Sequence, residues 1–185
     1  MNTPLPNLRR FGALRELLDV VLWVGAIYAL VNLATVRFVV DGASMEPTFH
    51  DEQLLIVNRL NYAFTDPDRG DVIVFHFPGD TTQDYIKRVI GLPGETVEFR
   101  DTQVYIDNVL LTEPYINERC DDYHCPDRIW ELGDDEYFVM GDNRNHSSDS
   151  RSSSVGLISR HYIVGEVFLR YWPLPDFTLI TGNDY

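Results

Sequence analysis

The chain has 185 residues, room for one ordinary domain and a short extension. Its 15 Lys and Arg stand against 29 Asp and Glu, and a formal net charge of −14 excludes a nucleic-acid phosphate binder, which needs a basic face. Hydrophobic residues make up 44%, and 12 Gly with 10 Pro fall short of a disordered composition, so a packed core is expected. Fourteen of the basic residues are Arg, and the one lysine is Lys87. Codon usage accounts for a general scarcity of lysine. The other reading is that lysine stays where only lysine serves, because Arg keeps its proton in a protein and a desolvated Lys can lose it.

The N-terminal 19 residues hold Arg9, Arg10 and Arg15 against Glu16 and Asp19, a net +1, and the remaining 166 carry −15. From Val20 to Val36 seventeen residues pass without a charge, extended upstream by Leu17 and Leu18. As a helix this run is about 25 Å long, the short end of what crosses a bilayer. A buried core helix would carry a polar stripe, and this run has none. A cleaved secretory signal would end in a small-x-small site, whereas this one ends in Ala34-Thr35-Val36-Arg37-Phe38. The expectation is therefore a retained transmembrane anchor over 17–36. Three arginines precede it and Arg37 is the one basic residue in the twenty positions after it, so residues 1–16 are expected in the cytoplasm and 37–185 outside.

The body reads as β-rich. Apolar or alternating runs occur at Leu54–Val57, Val72–Phe77, Tyr85–Ile90, Thr96–Phe99, Val104–Ile106, Tyr137–Met140 and Tyr162–Tyr171. Clusters of Gly, Pro, Asn and Asp separate them, as at 66–70 and 91–94. Short strands rich in Val, Ile, Tyr and Phe with frequent turns predict an all-β sandwich or barrel. There is no internal repeat, and Arg144 to Ser154 is a polar, Ser-rich loop. Cys120 and Cys125 would form a local disulfide in an oxidising compartment. The rival is a metal site using Cys120, His124 and Cys125, which lacks a fourth ligand.

Three segments carry chemistry. Phe38 to Thr48 is an alternating strand that ends in Gly42 and leaves Ser44 at a sharp strand end, where a serine by itself is an ordinary turn residue. In the second, Lys87 lies inside an apolar strand, with Tyr85, Lys87 and Val89 on one face and Ile86, Arg88 and Ile90 on the other. One of the two cations is therefore expected to face inward, the usual alternative for a strand lysine being an exposed edge. Burial disfavours the charged amine and lowers a lysine pKa from about 10.4 to as little as about 5–6. A neutral lysine is a competent general base for a serine hydroxyl. The third segment, Tyr137 to Arg151, gathers hydroxyls and carboxylates after a buried strand.

Ser-Met-Glu-Pro-Thr (44–48), Arg-Gly-Asp-Val-Ile-Val-Phe (69–75), Tyr-Ile-Lys-Arg-Val-Ile-Gly-Leu-Pro-Gly (85–94) and Met-Gly-Asp-Asn-Arg (140–144) with Ser-x-Asp-Ser-Arg (147–151) resemble the ordered boxes of the type I signal peptidases. The resemblance runs from the anchor to Arg170-Tyr171-Trp172-Pro173. It implies a mainly β protein with one N-terminal transmembrane helix, a serine endopeptidase of the bacterial inner membrane that removes signal peptides from exported preproteins on the outer, periplasmic side. Ser44 would be the nucleophile and Lys87 the general base, with the Ser44 backbone N–H holding the oxyanion. Ser147 would orient the lysine, and Asp149, Asp142, Arg88 and Arg151 would form supporting ion pairs. His50, His76, His124, His146 and His161 would be bystanders. Cleavage would follow an Ala-x-Ala pattern, read by pocket walls at Phe38, Val40, Met45, Val74, Tyr85 and Ile86. No cofactor, metal or nucleic acid is implied. The partners would be preproteins and the lipid bilayer, and the protein would be a monomer.

Two positions depart from the family pattern. Gly42 stands where some members carry a serine that adds an oxyanion donor, and Asn145 stands where Asp is frequent. Two other readings compete. A self-cleaving repressor shares a Ser/Lys dyad, but its N-terminal DNA-binding helices are missing here and a transmembrane run stands in their place. An anchored exterior β-domain acting as a binding module would make Ser44 and Lys87 incidental.

Overall fold

The computed structural model describes residues 8–180, with side chains from residue 14 onward. The expected cytoplasmic segment 1–16 therefore lies outside the described residues over 1–7. Helix α1 (Leu8–Ala34) is rich in Leu, Val and Ala, and its stretch Leu14–Ala34 has a mean hydropathy of 2.0. Large apolar side chains such as Trp23, Tyr28 and Leu33 project on all sides with none of that stretch buried, the signature of a helix meant for an apolar surround. The helix stops at Ala34, two residues before the end expected for the anchor. The β-branched pair Thr35-Val36 turns into a strand there, and the Thr35 hydroxyl donates back to the Val31 carbonyl at 2.8 Å.

From Val36 onward a separate unit is built almost wholly of strands. They are β1 (Thr35–Val39), β2 (Leu54–Asn58), β3 (Val72–Phe77), β4 (Asp80–Gly91), β5 (Thr96–Arg100), β6 (Gln103–Ile106), β7 (Val109–Leu110), β8 (Arg128–Glu131), β9 (Glu136–Met140), β10 (Ile158–Ser159), β11 (Ile163–Trp172) and β12 (Thr178–Leu179). A short α-helical turn, α2 (Asn61–Phe64), and two 3-10 turns, Arg160–Tyr162 and Leu174–Asp176, interrupt them. The large sheet runs β1-β2-β11-β3-β4-β9-β10 with β12 added to β11, and the small one runs β7-β6-β5-β8. All seven runs expected from the sequence fall on strands. The two-residue strands and β8 escaped notice because they are too short, or too polar, to show alternation.

Strand β3 lies mid-sheet with both faces covered, which is why Val72-Ile73-Val74-Phe75 is a continuous apolar run rather than an alternating one. Val72 and Val74 pack with Met45, Phe49, Leu55 and Val57, while Ile73 and Phe75 pack with Tyr62, Val89 and Val139. A third cluster joins Ile90, Phe138 and Met140 at the ends of β4 and β9 to Val97, Phe99, Val104 and Ile106 of the small sheet. Strand β4 is exposed over 80–84 and buried over 86–91. Its neighbour β3 fixes the register, with Ile73 opposite Lys87 and Val72 opposite Arg88. The expectation that one cation faces inward is thereby corrected: Lys87 and Arg88 are both buried, because β4 has packed material on both faces.

Candidate active site

Ser44 sits in the turn that follows β1. Gly42 there has φ +86°, a conformation costly for any residue with a Cβ, which gives a backbone reason for glycine where some family members carry serine. Its N–H donates to Asp51 Oδ1 at 2.8 Å, and Phe49 N–H donates to the Met45 carbonyl at 2.9 Å, closing the turn. The segment after β9 packs against this turn. A Cβ on Gly141 would stand 2.4 Å from the Ser44 carbonyl oxygen and 2.3 Å from Ser147 Oγ, so the close approach requires glycine.

Lys87 reaches across from β4. Its Nζ lies 2.8 Å from Ser44 Oγ and 2.8 Å from the Ile86 carbonyl, with the residue 4% exposed. Burial is the main influence on its acidity and lowers it; the carboxylates of Asp149 and Asp142 pull upward and Arg151 pushes down again. The balance leaves Lys87 at about 8, well under the ordinary lysine value. A hydroxyl at hydrogen-bond distance from an amine that is substantially neutral near pH 8 can lose its proton to that amine as it attacks an electrophile.

Two buried ion pairs flank the contact. Arg88 grips Asp142 through Nε at 2.8 Å and a terminal nitrogen at 2.6 Å, both side chains fully buried. Asp142 also accepts from the Thr48 hydroxyl at 2.5 Å, tying the strand of Lys87 to the turn of Ser44. Arg151 grips Asp149 at 2.8 and 2.7 Å, and Asp149 further accepts from Gly141 N–H at 3.0 Å. Burial works against the Asp149 charge, but the Arg151 hydrogen bonds and charge outweigh it and hold the carboxyl below its ordinary range. A third pair, Arg144 with Glu113 at 2.9 and 2.6 Å, was not foreseen, since Glu113 lies 31 residues away in a loop without a motif.

Ser147 does not make the expected contact with Lys87. Its Oγ is buried beside Gly141 and has no hydrogen-bond partner of ordinary geometry; the Asp149 carboxyl feels this hydroxyl only weakly. The amine instead spends its second bond on the Ile86 carbonyl of its own strand. A cleft of about 570 Å³ opens over the pair, lined by Phe38, Asp41, Ser44, Gln83, Asp84, Tyr85, Ile86, Lys87 and Ser148. Phe38, Tyr85 and Ile86, named above as candidate pocket walls, are among the residues that line this cleft. Val40, Met45 and Val74 do not line it; they are buried in the core with Phe49, Leu55 and Val57. Gln83 and Asp84 went unforeseen, although their place two and three residues upstream of the wall residue Ile86 on one strand marks them as neighbours of the cleft.

Cys120 and Cys125 form a disulfide, and His124 turns to Asp121 at 2.8 Å. Asn145 bonds Glu118 Oε1 at 2.9 Å through its amide nitrogen and accepts from Asp121 N–H at 2.9 Å. An aspartate could do only the second. Asn145 therefore serves here as a tie to the 118–121 loop.

Residues 14–172 match the family model described as "Signal peptidase, peptidase S26". The chain is 37% identical over 168 residues to "Signal peptidase I" of Bacillus amyloliquefaciens, covering 83% of this chain and 89% of the relative. It is 31% identical over 182 residues to "Signal peptidase IB" of Staphylococcus aureus, covering 88% and 93%. A crystal structure of a signal peptidase I from Enterococcus faecalis aligns with 35% identity and a TM-score of 0.48, over 55% of this chain and 97% of that one.

Proposed function

The chain belongs to the signal peptidase family, peptidase S26, and from that membership we propose a membrane-anchored serine endopeptidase that removes N-terminal signal peptides from exported preproteins with a Ser44/Lys87 dyad. The observation that carries the dyad is the 2.8 Å contact between Ser44 Oγ and a buried lysine lowered to about 8. Ser44 Oγ adds to the scissile carbonyl as its proton passes to Lys87 Nζ, and the carbonyl electrons move onto oxygen beside the Ser44 N–H. The ammonium of Lys87 then protonates the departing amine, leaving an acyl-enzyme. Neutral Lys87 takes a proton from water as the water attacks the ester, and its ammonium then returns that proton to the departing Ser44 oxygen, releasing the signal peptide and restoring the neutral amine. Arg88 with Asp142, and Arg151 with Asp149, hold the lysine strand and the serine turn together, and the Ser147 hydroxyl lies buried beside Gly141.

The cleft gives the reading its substrate preference. Phe38, Tyr85 and Ile86 are the large apolar side chains in the cleft lining, and bulky walls beside the serine would exclude large substrate side chains by overlap, in keeping with Ala-x-Ala cleavage sites. The substrate would lie as an extended strand beside the wall. The apolar stretch of helix α1 that ends at Ala34 serves as the anchor, with the arginine-bearing 1–16 on the cytoplasmic side and 37–185, the monomeric working domain, on the outer side of a bacterial inner membrane.

The test is cleavage of a purified preprotein in detergent by the full chain, beside Ser44→Ala, Lys87→Ala and Lys87→Arg, with folding followed by circular dichroism. Wild type should release the mature protein and all three variants should be inert while folded, Arg failing because it keeps its proton. Undiminished cleavage by either Lys87 variant would sink the dyad.

A further inference from the structure

Ser44 lies between two peptide groups, and both are held by one residue. Asn143 Nδ2 donates to the Ala43 carbonyl at 3.0 Å, and Asn143 N–H donates to the Ser44 carbonyl at 3.1 Å. The Ala43–Ser44 peptide is planar and trans, so its C=O and N–H point in opposite directions. Whatever fixes the Ala43 carbonyl therefore fixes the Ser44 N–H on the other side. That N–H donates to no acceptor among the described residues, so it remains available to an incoming oxyanion. The amide of Asn143 is itself oriented: His146 Nδ1 lies 3.2 Å from its Oδ1, and His146 N–H donates to the Asn143 carbonyl at 3.1 Å. Gly141 allows this segment to come close enough.

We infer that Asn143 is the positioning residue of the oxyanion site, its side-chain amide locking the Ala43–Ser44 peptide so that the Ser44 N–H faces the developing alkoxide. The inference rests on the Ser44/Lys87 hydrolysis proposed above. It matters more here because Gly42 supplies no second, side-chain donor, so a single backbone N–H carries the load and its direction cannot drift. Preorganised donors act by standing in place before charge develops, and loss of one costs about 10²–10³ in kcat. Releasing a donor's orientation without deleting it should cost less, about 10- to 100-fold.

Two variants and two ligands test this. Asn143→Ala removes the donor to Ala43; Asn143→Asp keeps the shape but turns an acceptor toward a carbonyl. Both should lower kcat for an Ala-x-Ala peptide by about 10- to 100-fold, Asp at least as far as Ala, with KM within about threefold. A peptide aldehyde of the same sequence, which adds Ser44 Oγ to its carbonyl and places an oxygen at the oxyanion position, should lose affinity by the same factor. An uncleavable ground-state peptide should bind as to wild type, and the pH profile of kcat should keep its midpoint, because Asn143 does not touch Lys87. Wild-type kcat in Asn143→Asp overturns the inference, as does an equal loss of affinity for the ground-state peptide, which would mark a general structural role. If wild type and Ser44→Ala are equally inert, the hydrolytic reading itself fails, a result distinct from an active wild type matched by Asn143→Asp.

Discussion

The two sheets of this protein treat charge in opposite ways. Around the β4–β9 seam of the large sheet Lys87, Arg88, Asp142, Arg144 and Asp149 are all buried. The small sheet fills its core with Val97, Phe99, Val104 and Ile106 and keeps its ion pair, Arg100 with Glu98, on the surface. Burying ions costs several kcal/mol each before pairing repays any of it, and apolar replacements often do as well or better. A protein assembled for stability alone would resemble the small sheet throughout. The large sheet keeps a costly arrangement, and the cost is concentrated around the contact between Ser44 and Lys87 to which the proposed chemistry is assigned.

The comparison breaks first at Lys87. Lys87→Met should abolish preprotein cleavage, the largest effect expected anywhere in the chain, and yet raise stability. Folded Lys87 releases its proton near 8, whereas an unfolded lysine holds it to about 10.4, so unfolding takes up a proton between these values. The contribution of neutral Lys87 is thus lost as pH falls through about 8, and at pH 7 its removal should stabilise by about 1–3 kcal/mol. Denaturant melts of Ser44→Ala and Ser44→Ala/Lys87→Met at pH 7 and 10 measure this without turnover; a gain at pH 10 as large as at pH 7 would contradict it. For wild type, kcat/KM should rise with pH through about 8, the sign required of a base that works unprotonated.

Next comes the Arg88–Asp142 pair. Asp142→Ala takes away the buried carboxylate that Arg88 grips and frees the Thr48 hydroxyl, and should destabilise by about 3–5 kcal/mol. Arg88→Met with Asp142→Leu should recover most of that stability, since both buried charges are gone together, while cleavage stays low because the Thr48–Asp142–Arg88 link between the serine turn and β4 is lost. Recovery of cleavage along with stability would reduce the pair to scaffolding.

How much of this was legible in the sequence follows from the same division. The strands were readable because β3, β5 and β11 carry patterns set by burial on one face or both. Ser44 and Lys87 were readable from their boxes, and Lys87 also from its solitude among 14 arginines. What could not be read was depth and pairing. Alternation along β4 made Lys87 and Arg88 look like an inward and an outward cation, because sequence shows the period of a strand and leaves open whether its second face is covered. Val40, Met45 and Val74 were named as cleft walls by matching position to the family, and a matched position does not say whether a side chain meets the cleft or the core, where these three are buried. Glu113 and Asn143 needed contacts across 31 and 100 residues, which no local pattern encodes.

In the small sheet the expectation reverses. Phe99 packs edge-on against Trp130 at 5.5 Å, and Phe99→Ala should destabilise by about 3–5 kcal/mol by opening a cavity. The molecules that remain folded should still cleave at the wild-type rate, as read by active-site titration with the peptide aldehyde against total cleavage.

The smallest effect is expected at the join between the two regions, where the Cys120–Cys125 disulfide belongs to the apolar cluster yet touches the site. Arg151 lies 3.1 and 3.2 Å from the two sulfurs with the same guanidinium that holds Asp149. Closing a loop with a sequence separation of only 5 gives up little chain entropy, so replacing both cysteines by Ala should cost about 2 kcal/mol. Arg151 would keep both bonds to Asp149 and the one to the Arg144 carbonyl at 2.7 Å, and those suffice to fix its position. The double variant should therefore melt earlier and cleave normally below its transition, with the midpoint of the pH profile unmoved. A profile shifted by half a unit or more would mean that the sulfurs steer Arg151, and through Asp149 the acidity of Lys87, and the disulfide would then have to be counted with the large sheet rather than the small one.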